Sequence, residues 1–281
     1  MKNLPDLVTT RSEDGLHLEG LLWDGRERDT AFILLHGFAS RFYASVVARV
    51  AEALAARGHP ALSGNTRGHD YGTMVVRRDG TTALQGAAWE DPAEGPLDVA
   101  GWVAWMERRL APRRMILIGH SLGGWKAALY RAQRRDPRVG GLVLMSPPPR
   151  GTPTWWRPEL GELAARMVAE GRGDDLVPGV QSRAGRVSAQ TLVARGADRW
   201  PEDLAAYLPR VPVPALVTYG EREPDAVGRL AALAHLQPAV QTRLIAGGNH
   251  NYTDRWEAAA ELVLGWLPPI LDQATRTAPS T

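Results

Sequence analysis

A serine held between glycines, Gly119-His120-Ser121-Leu122-Gly123, is the feature that most constrains this chain. It follows the apolar run Met115-Ile116-Leu117-Ile118 without a break and opens a helix-like segment that extends to about Arg135. A continuous apolar run of that length reads as a strand buried on both faces, as in a parallel sheet. A strand that turns straight into a helix around a serine is the sequence form of a nucleophile elbow. The turn is so tight that side chains beside the serine would clash, which explains the glycines. The serine itself takes a strained backbone, and its hydroxyl stands above the sheet edge at a helix N-terminus that favours negative charge.

The rest of the chain repeats the strand–helix rhythm, the pattern of a mostly parallel sheet with helices on both faces. Residues 16–23 alternate like an early, half-exposed strand, and 31–35 (Ala-Phe-Ile-Leu-Leu) form an apolar run ending at His36-Gly37-Phe38. Val46, Val47, Val50 and Leu54 recur at helical spacing over 43–57, and Gly58 stops that helix. A short strand at Pro60–Ser63 leads into the turn-rich loop 64–70. Val99, Trp102, Val103 and Met106 mark an amphipathic helix after Pro96. Further strands are expected at 141–145, 215–219 and 242–246, with a last helix over about 254–266. Between 150 and 210 the rhythm fails: Pro and Gly are frequent, and helical stretches are short. The expected organisation is a core of residues 1–149 and 211–270, an inserted helical lid at 150–210, and a flexible polar tail at 271–281.

A serine hydroxyl is a weak nucleophile near neutral pH and needs an adjacent base. Of the seven histidines, His17 falls in an alternating strand, and His59 and His235 lie beside helix ends. His36, His69, His120 and His250 lie in loops after strands, but His36 and His120 sit within the turns themselves and read as braces. His250, after the final apolar run and Gly247-Gly248-Asn249, can return over the elbow and is the expected base. The acid that orients it belongs between Ser121 and His250, near the carboxyl end of a strand. Gly220-Glu221-Arg222-Glu223-Pro224-Asp225 offers Glu223 first and Asp225 as the alternative, with Glu221 too close to the strand end. The oxyanion of an acyl-transfer intermediate needs backbone N–H donors. Leu122, directly after the serine, and Phe38, in the loop after 31–35, are the expected pair.

Composition narrows the chemistry. The 281 residues contain no cysteine, which excludes disulfides, thiolate catalysis and zinc–thiolate sites. The formal charge is only +2, and the arginines alternate with acids, so a nucleic-acid surface is not expected. No apolar stretch approaches the length of a membrane span, and the N-terminus lacks the apolar run of a signal peptide. A cytoplasmic enzyme with a small-molecule substrate and no cofactor or metal is the expectation. Heavy Arg, Ala and Gly usage suggests a bacterial source, and oligomeric state is not legible.

His36-Gly37-Phe38, Asn65-Thr66-Arg67-Gly68-His69, Gly119-His-Ser-Leu-Gly-Gly124, Gly220-x-x-Glu223 and Gly248-Asn249-His250 together resemble the α/β-hydrolase superfamily, over about residues 16–268. The resemblance implies an α/β-hydrolase fold: an eight-stranded, mostly parallel sheet flanked by helices, a Ser–acid–His triad, and often a helical lid matching 150–210. The family's acid is usually aspartate, and glutamate stands in its place here. The implied activity is hydrolysis of an ester-like bond (carboxylester, thioester or lactone) through an acyl-enzyme. Amide or C–C bond hydrolysis on the same triad, or a non-catalytic receptor of the same fold, are the alternatives. Trp155, Trp156 and Trp200 are expected to line a pocket for a partly apolar molecule.

Overall fold

The computed structural model describes residues 4–148, 157–180, 185–196, 204–236 and 239–276, with the side chains of 206 and 268–276 outside the description. Ten strands and eight α-helices follow in this order: β1 (Asp6–Arg11), β2 (His17–Trp23), β3 (Thr30–Leu35), α1 (Ser45–Ala56), β4 (Ala61–Gly64), β5 (Thr73–Val76), β6 (Thr82–Gln85), α2 (Gly95–Leu110), β7 (Arg114–His120), α3 (Leu122–Arg134), β8 (Val139–Met145), α4 (Pro158–Ala169), α5 (Ala189–Ala194), α6 (Leu204–Tyr207), β9 (Ala215–Gly220), α7 (Ala226–Ala234), β10 (Val240–Ile245) and α8 (Trp256–Arg276). Eight strands form one sheet in the order β1-β2-β4-β3-β7-β8-β9-β10. The β1–β2 and β2–β4 pairs are antiparallel and the others parallel. The fold is thus the α/β-hydrolase fold that the motifs imply.

Burial explains the sequence pattern. Every residue of β3 is buried, as are Met115 to His120 of β7, because helices cover both sides of the sheet. One core joins Val99, Trp102, Val103 and Met106 of α2, Ala127, Ala128 and Tyr130 of α3, and Ala226, Leu230 and Leu233 of α7 to the strands beneath them. The opposite core joins Val46, Val47, Val50, Ala51 and Leu54 of α1 to Ala259, Ala260, Val263 and Trp266 of α8. The indole of Trp102 lies against Gly64, where any Cβ would stand 2.5 Å from the ring, and donates to Asn65 O at 2.7 Å. From β3 the chain passes to β4 on one side, and β7 lies on the other. Such a reversal of strand order opens a crevice at the carboxyl ends of the strands, and the serine loop lies there.

Three local differences from the sequence reading have simple causes. β1 precedes the first expected strand; its Leu7 is exposed, and an edge strand lacks the buried alternation that marks an inner one. The turn-rich loop after β4 continues into a separate hairpin, β5–β6, in which only Val75 is buried and the other residues are half-buried or exposed. α8 continues to Arg276, ten residues past the expected end and into the segment expected as a tail; the apolar pattern Leu264, Leu267, Ile270, Leu271 carries on through Pro268 and Pro269.

Between β8 and β9, α4 and α5 enclose a small core of their own, made by Ala164, Met167, Val177, Val180, Val187, Ala189 and Leu192. This insertion is seated on the segment before α2. Ser188 N–H donates to Ala88 O at 2.7 Å, and Trp89 Nε1–H donates to Asp174 O at 2.9 Å. No helix among the described residues is long and apolar enough to cross a membrane.

Candidate active site

Ser121 links β7 to α3 with φ 51° and ψ −123°, a conformation that a side chain rarely adopts. The neighbouring glycines make the turn possible. A Cβ on Gly119 would stand 2.3 Å from the Gly123 carbonyl, and one on Gly123 would stand 2.3 Å from Leu35 O. Ser121 N–H donates to Met145 O at 2.8 Å, which fixes the turn against the neighbouring strand. Leu122 is the first residue of α3, where N–H groups have no intrahelical acceptor. Gly37 abuts the serine: a Cβ there would lie 2.9 Å from Ser121 Cβ. Gly37 and Phe38 therefore line the same cleft as the Ser121 side chain.

His250 arrives from the loop after β10. That loop is tied to the one after β9 by Glu221 N–H to Ile245 O (3.1 Å), Arg222 N–H to Gly248 O (2.8 Å) and Gly247 N–H to Glu221 Oε2 (2.8 Å). The two loops approach so closely that a Cβ on Gly220 would stand 2.6 Å from the Gly248 backbone. Their junction puts His250 Nδ1 2.8 Å from Glu223 Oε2. With Nδ1–H donating to the carboxylate, Nε2 is left as the basic nitrogen.

Glu223 is buried and Asp225 is exposed. Asp225 takes a left-handed conformation (φ 54°) at the N-terminus of α7, and the carboxylate at His250 Nδ1 is that of Glu223. Burial opposes charge on Glu223. Hydrogen bonds from His250, from Ser146 Oγ and from Gly220 N–H (2.8 Å) outweigh it and hold the carboxyl below its usual range. Ser146, the residue after β8, also lies 2.7 Å from Tyr252 Oη, which in turn lies 3.1 Å from Thr218 Oγ1. This polar cluster is wholly buried, and sequence reasoning missed it. Its one visible signal was the position of Ser146 at the carboxyl end of a buried strand, the sheet edge where Ser121 and Glu223 also emerge.

The bracing role expected for two histidines matches their bonds. His36 Nδ1–H donates to Gly37 O at 2.8 Å, and its Nε2 accepts Thr66 N–H at 3.0 Å. That pattern requires a neutral ring, and burial, followed by the nearby Lys126, depresses its pKa to about 3. His120 Nε2–H donates to His250 O at 2.7 Å; burial, then the neighbouring His250, lowers its pKa to about 4.

Ser121, His250, His120, Phe38, Tyr71 and Arg41 share one cleft of about 770 Å³. At its rim Arg41 pairs with Asp70 at 2.8 Å. Trp155, Trp156 and Trp200 lie outside the described residues. Among the described residues no group of three or more His, Asp or Glu could hold a metal ion.

Behind the cleft lies a buried charged group that the sequence reading did not single out. Glu90 accepts from Lys126 Nζ and, at 3.0 Å, from Arg195 Nη2; Lys126 also donates to Thr66 Oγ1 at 2.8 Å. The signal was present: Lys126 is one of only two lysines and sits in an otherwise apolar helix face.

Comparison with known proteins agrees with this architecture. DcsB, solved with a substrate analogue, superposes with a TM-score of 0.72 at 17% identity, over 94% of this chain and 99% of that one. Est1E from Butyrivibrio proteoclasticus, solved with ferulic acid, gives 0.67 at 17% identity, over 94% and 100%. A thermophilic esterase from Thermogutta terrifontis, solved with malate, gives 0.61 at 19% identity, over 94% and 99%. No curated protein matches the chain. Residues 32–263, from β3 into α8, match the model of the alpha/beta hydrolase family, and the chain belongs to that family.

Proposed function

We propose that this chain is a serine hydrolase that cleaves an ester-like bond of a small, partly apolar molecule through an acyl-enzyme. The observation that carries the reading is the 2.8 Å pair of His250 Nδ1 and Glu223 Oε2, with His250 lining the same cleft as Ser121 on its strained turn. His250 Nε2 takes the proton of Ser121 as Oγ attacks the substrate carbonyl carbon. The oxygen that becomes negative is held by the N–H groups of Phe38 and Leu122. Glu223 keeps Nδ1 protonated and stabilises the imidazolium. His250 then returns its proton to the departing alkoxide or thiolate, and the bond to the leaving group breaks. A water, deprotonated by the same nitrogen, attacks the acyl-enzyme, and Ser121 leaves with the proton.

Support for an ester-like substrate comes from the chemistry of the triad and from the fold's occurrence in solved esterases. Phe38, Val46 and Tyr71 give the cleft an apolar side suited to a short acyl or aromatic group. Trp155, Trp156 and Trp200 of the insertion are proposed to extend it.

The test is turnover of p-nitrophenyl esters from acetate to octanoate, with labelling by a fluorophosphonate. Ser121→Ala should abolish labelling and reduce kcat by about 10⁴-fold or more. Folded wild-type protein that neither turns over an ester nor takes the label at Ser121 would sink the proposal. Tight binding of an ester without turnover would instead mark a receptor.

A further inference from the structure

Arg195 ends α5 in the insertion, far in sequence from the elbow, yet only 3% of it is exposed. Its guanidinium does two things at once. Nη2 donates to Glu90 at 3.0 Å, and Cζ lies 4.5 Å from the centre of the Phe38 ring. A guanidinium at that distance over an aromatic face is a favourable stack, stronger where water is excluded. The same ring packs against the cluster of Leu122, Trp125, Leu129 and Tyr207. Phe38 is therefore gripped between α3, which begins at the serine, and the insertion, which supplies Arg195 and Tyr207. From beneath, His36 holds the carbonyl of Gly37, and Thr66 connects His36 to Lys126 and Glu90. Glu90 thus anchors two cations: Lys126, which reaches His36 through Thr66, and Arg195, which stacks on Phe38.

From this geometry we propose that Arg195 is a positioning residue for the oxyanion hole. It fixes the Phe38 ring, and through it the Phe38 N–H, so that the hole is complete only when the insertion is seated on Glu90. The inference rests on the serine-hydrolase reading above. It gives a physical reason for keeping a buried arginine in the insertion. A hydrophobic residue would fill the space with less desolvation, but it would not join Glu90 to the ring of Phe38. Lysine would keep the charge on Glu90 and lose the planar face.

The experiment compares wild type, Arg195→Lys, Phe38→Leu and the double variant with p-nitrophenyl butyrate. The readouts are kcat, KM, the second-order rate of fluorophosphonate labelling and the melting midpoint. Arg195→Lys should lower kcat about 10- to 100-fold, the usual cost of a misplaced catalytic group, with KM changed by less than about threefold. Labelling should slow in parallel, because the phosphoryl oxygen occupies the same hole. Phe38→Leu keeps the backbone N–H and should lose a similar factor. Adding Arg195→Lys to Phe38→Leu should cost little more, since the arginine acts through the ring. Losses that multiply in the double variant, or a folded Arg195→Lys enzyme with wild-type kcat, would overturn the inference and leave the hydrolase reading standing. If Arg195→Lys does not fold, Phe38→Leu decides: wild-type kcat in that variant overturns it. A wild type without turnover or labelling sinks the hydrolase reading and takes this inference with it.

Discussion

Ser146 Oγ donates to Glu223 Oε1, and this bond ties the end of β8 to the carboxylate whose other oxygen meets His250. Ser146 holds φ at 46° to do so, and Tyr252 closes the cluster on its far side. The carboxylate is thereby fixed on both oxygens before any substrate arrives. Ser146→Ala removes a hydrogen bond to a charged, buried group, and a loss of about 1.5–3 kcal/mol in unfolding free energy is expected. Glu223 should then titrate closer to the ordinary carboxylate range, so less stability should be lost as the pH falls through that range. Denaturant unfolding at pH 7.5 and at about pH 4 checks the two effects separately. An acid loss of stability equal to that of wild type would mean that Ser146 serves packing alone.

Glu223 and Asp225 lie two residues apart and occupy different worlds. Glu223→Gln leaves His250 Nδ1 facing an amide that no longer demands its proton, so the wrong tautomer becomes available. A fall in kcat of about 10²- to 10⁴-fold is expected. Asp225→Asn changes an exposed residue at the head of α7. Its stability should stay within about 0.5 kcal/mol of wild type, the usual range for a surface change. Steady-state kinetics on the two variants decides the assignment. A larger loss from Asp225→Asn would reverse it.

Gly37 is a third test of the oxyanion loop. A methyl group at this position would come 2.9 Å from Ser121 Cβ and 3.3 Å from His120 O, both parts of the elbow. Neither neighbour is the free end of a flexible chain, so the loop must shift. Gly37→Ala is expected to lower kcat by about 100-fold with KM nearly unchanged, because an error near 1 Å in a catalytic group costs about that much. Wild-type kcat in this variant would place the oxyanion donors elsewhere.

Much of this architecture was legible because its residues are fixed by local geometry. Gly119 and Gly123 are demanded by the turn, and the apolar runs at 31–35 and 115–118 by burial on both sheet faces. His250 and Glu223 could be chosen from the order of strands and loops, since each follows a strand at the same sheet edge. What escaped depends on contacts between distant segments. Nothing local to Ser146 announces Glu223, 77 positions on. Arg195 looks like any surface arginine until folding buries it between Glu90 and Phe38, 105 residues away at the first of these contacts. The edge strand β1 and the shallowly packed hairpin β5–β6 escaped for a different reason: neither carries the alternation that full burial on one face imposes.

The braced histidines make a pH prediction whose sign follows from the state of each ring. His36 and His120 are held neutral in the folded protein, with pKa values of about 3 and about 4, against about 6.5 in an unfolded chain. About a pH unit above 6.5 both states are neutral at these positions, and neither histidine makes stability depend on pH. As pH falls below 6.5 the unfolded chain binds protons that the folded one refuses, so stability falls. Around pH 5 the slope should approach two protons' worth, or about 2.7 kcal/mol per pH unit. The depressed carboxyls of Glu223, Glu90, Asp14 and Asp136 add a loss in the same direction as the pH falls through the ordinary carboxylate range of about 4 to 4.5, so the histidine slope is read above about pH 5. Urea unfolding at half-unit steps from pH 7.5 to 5 measures the slope directly. His120→Asn should remove about one of the two protons from it whatever that variant does to stability at pH 7.5. A flat profile above pH 5 in the wild type would show that the two rings are charged in the folded state, which the bonds of His36 to Gly37 O and Thr66 N–H do not permit.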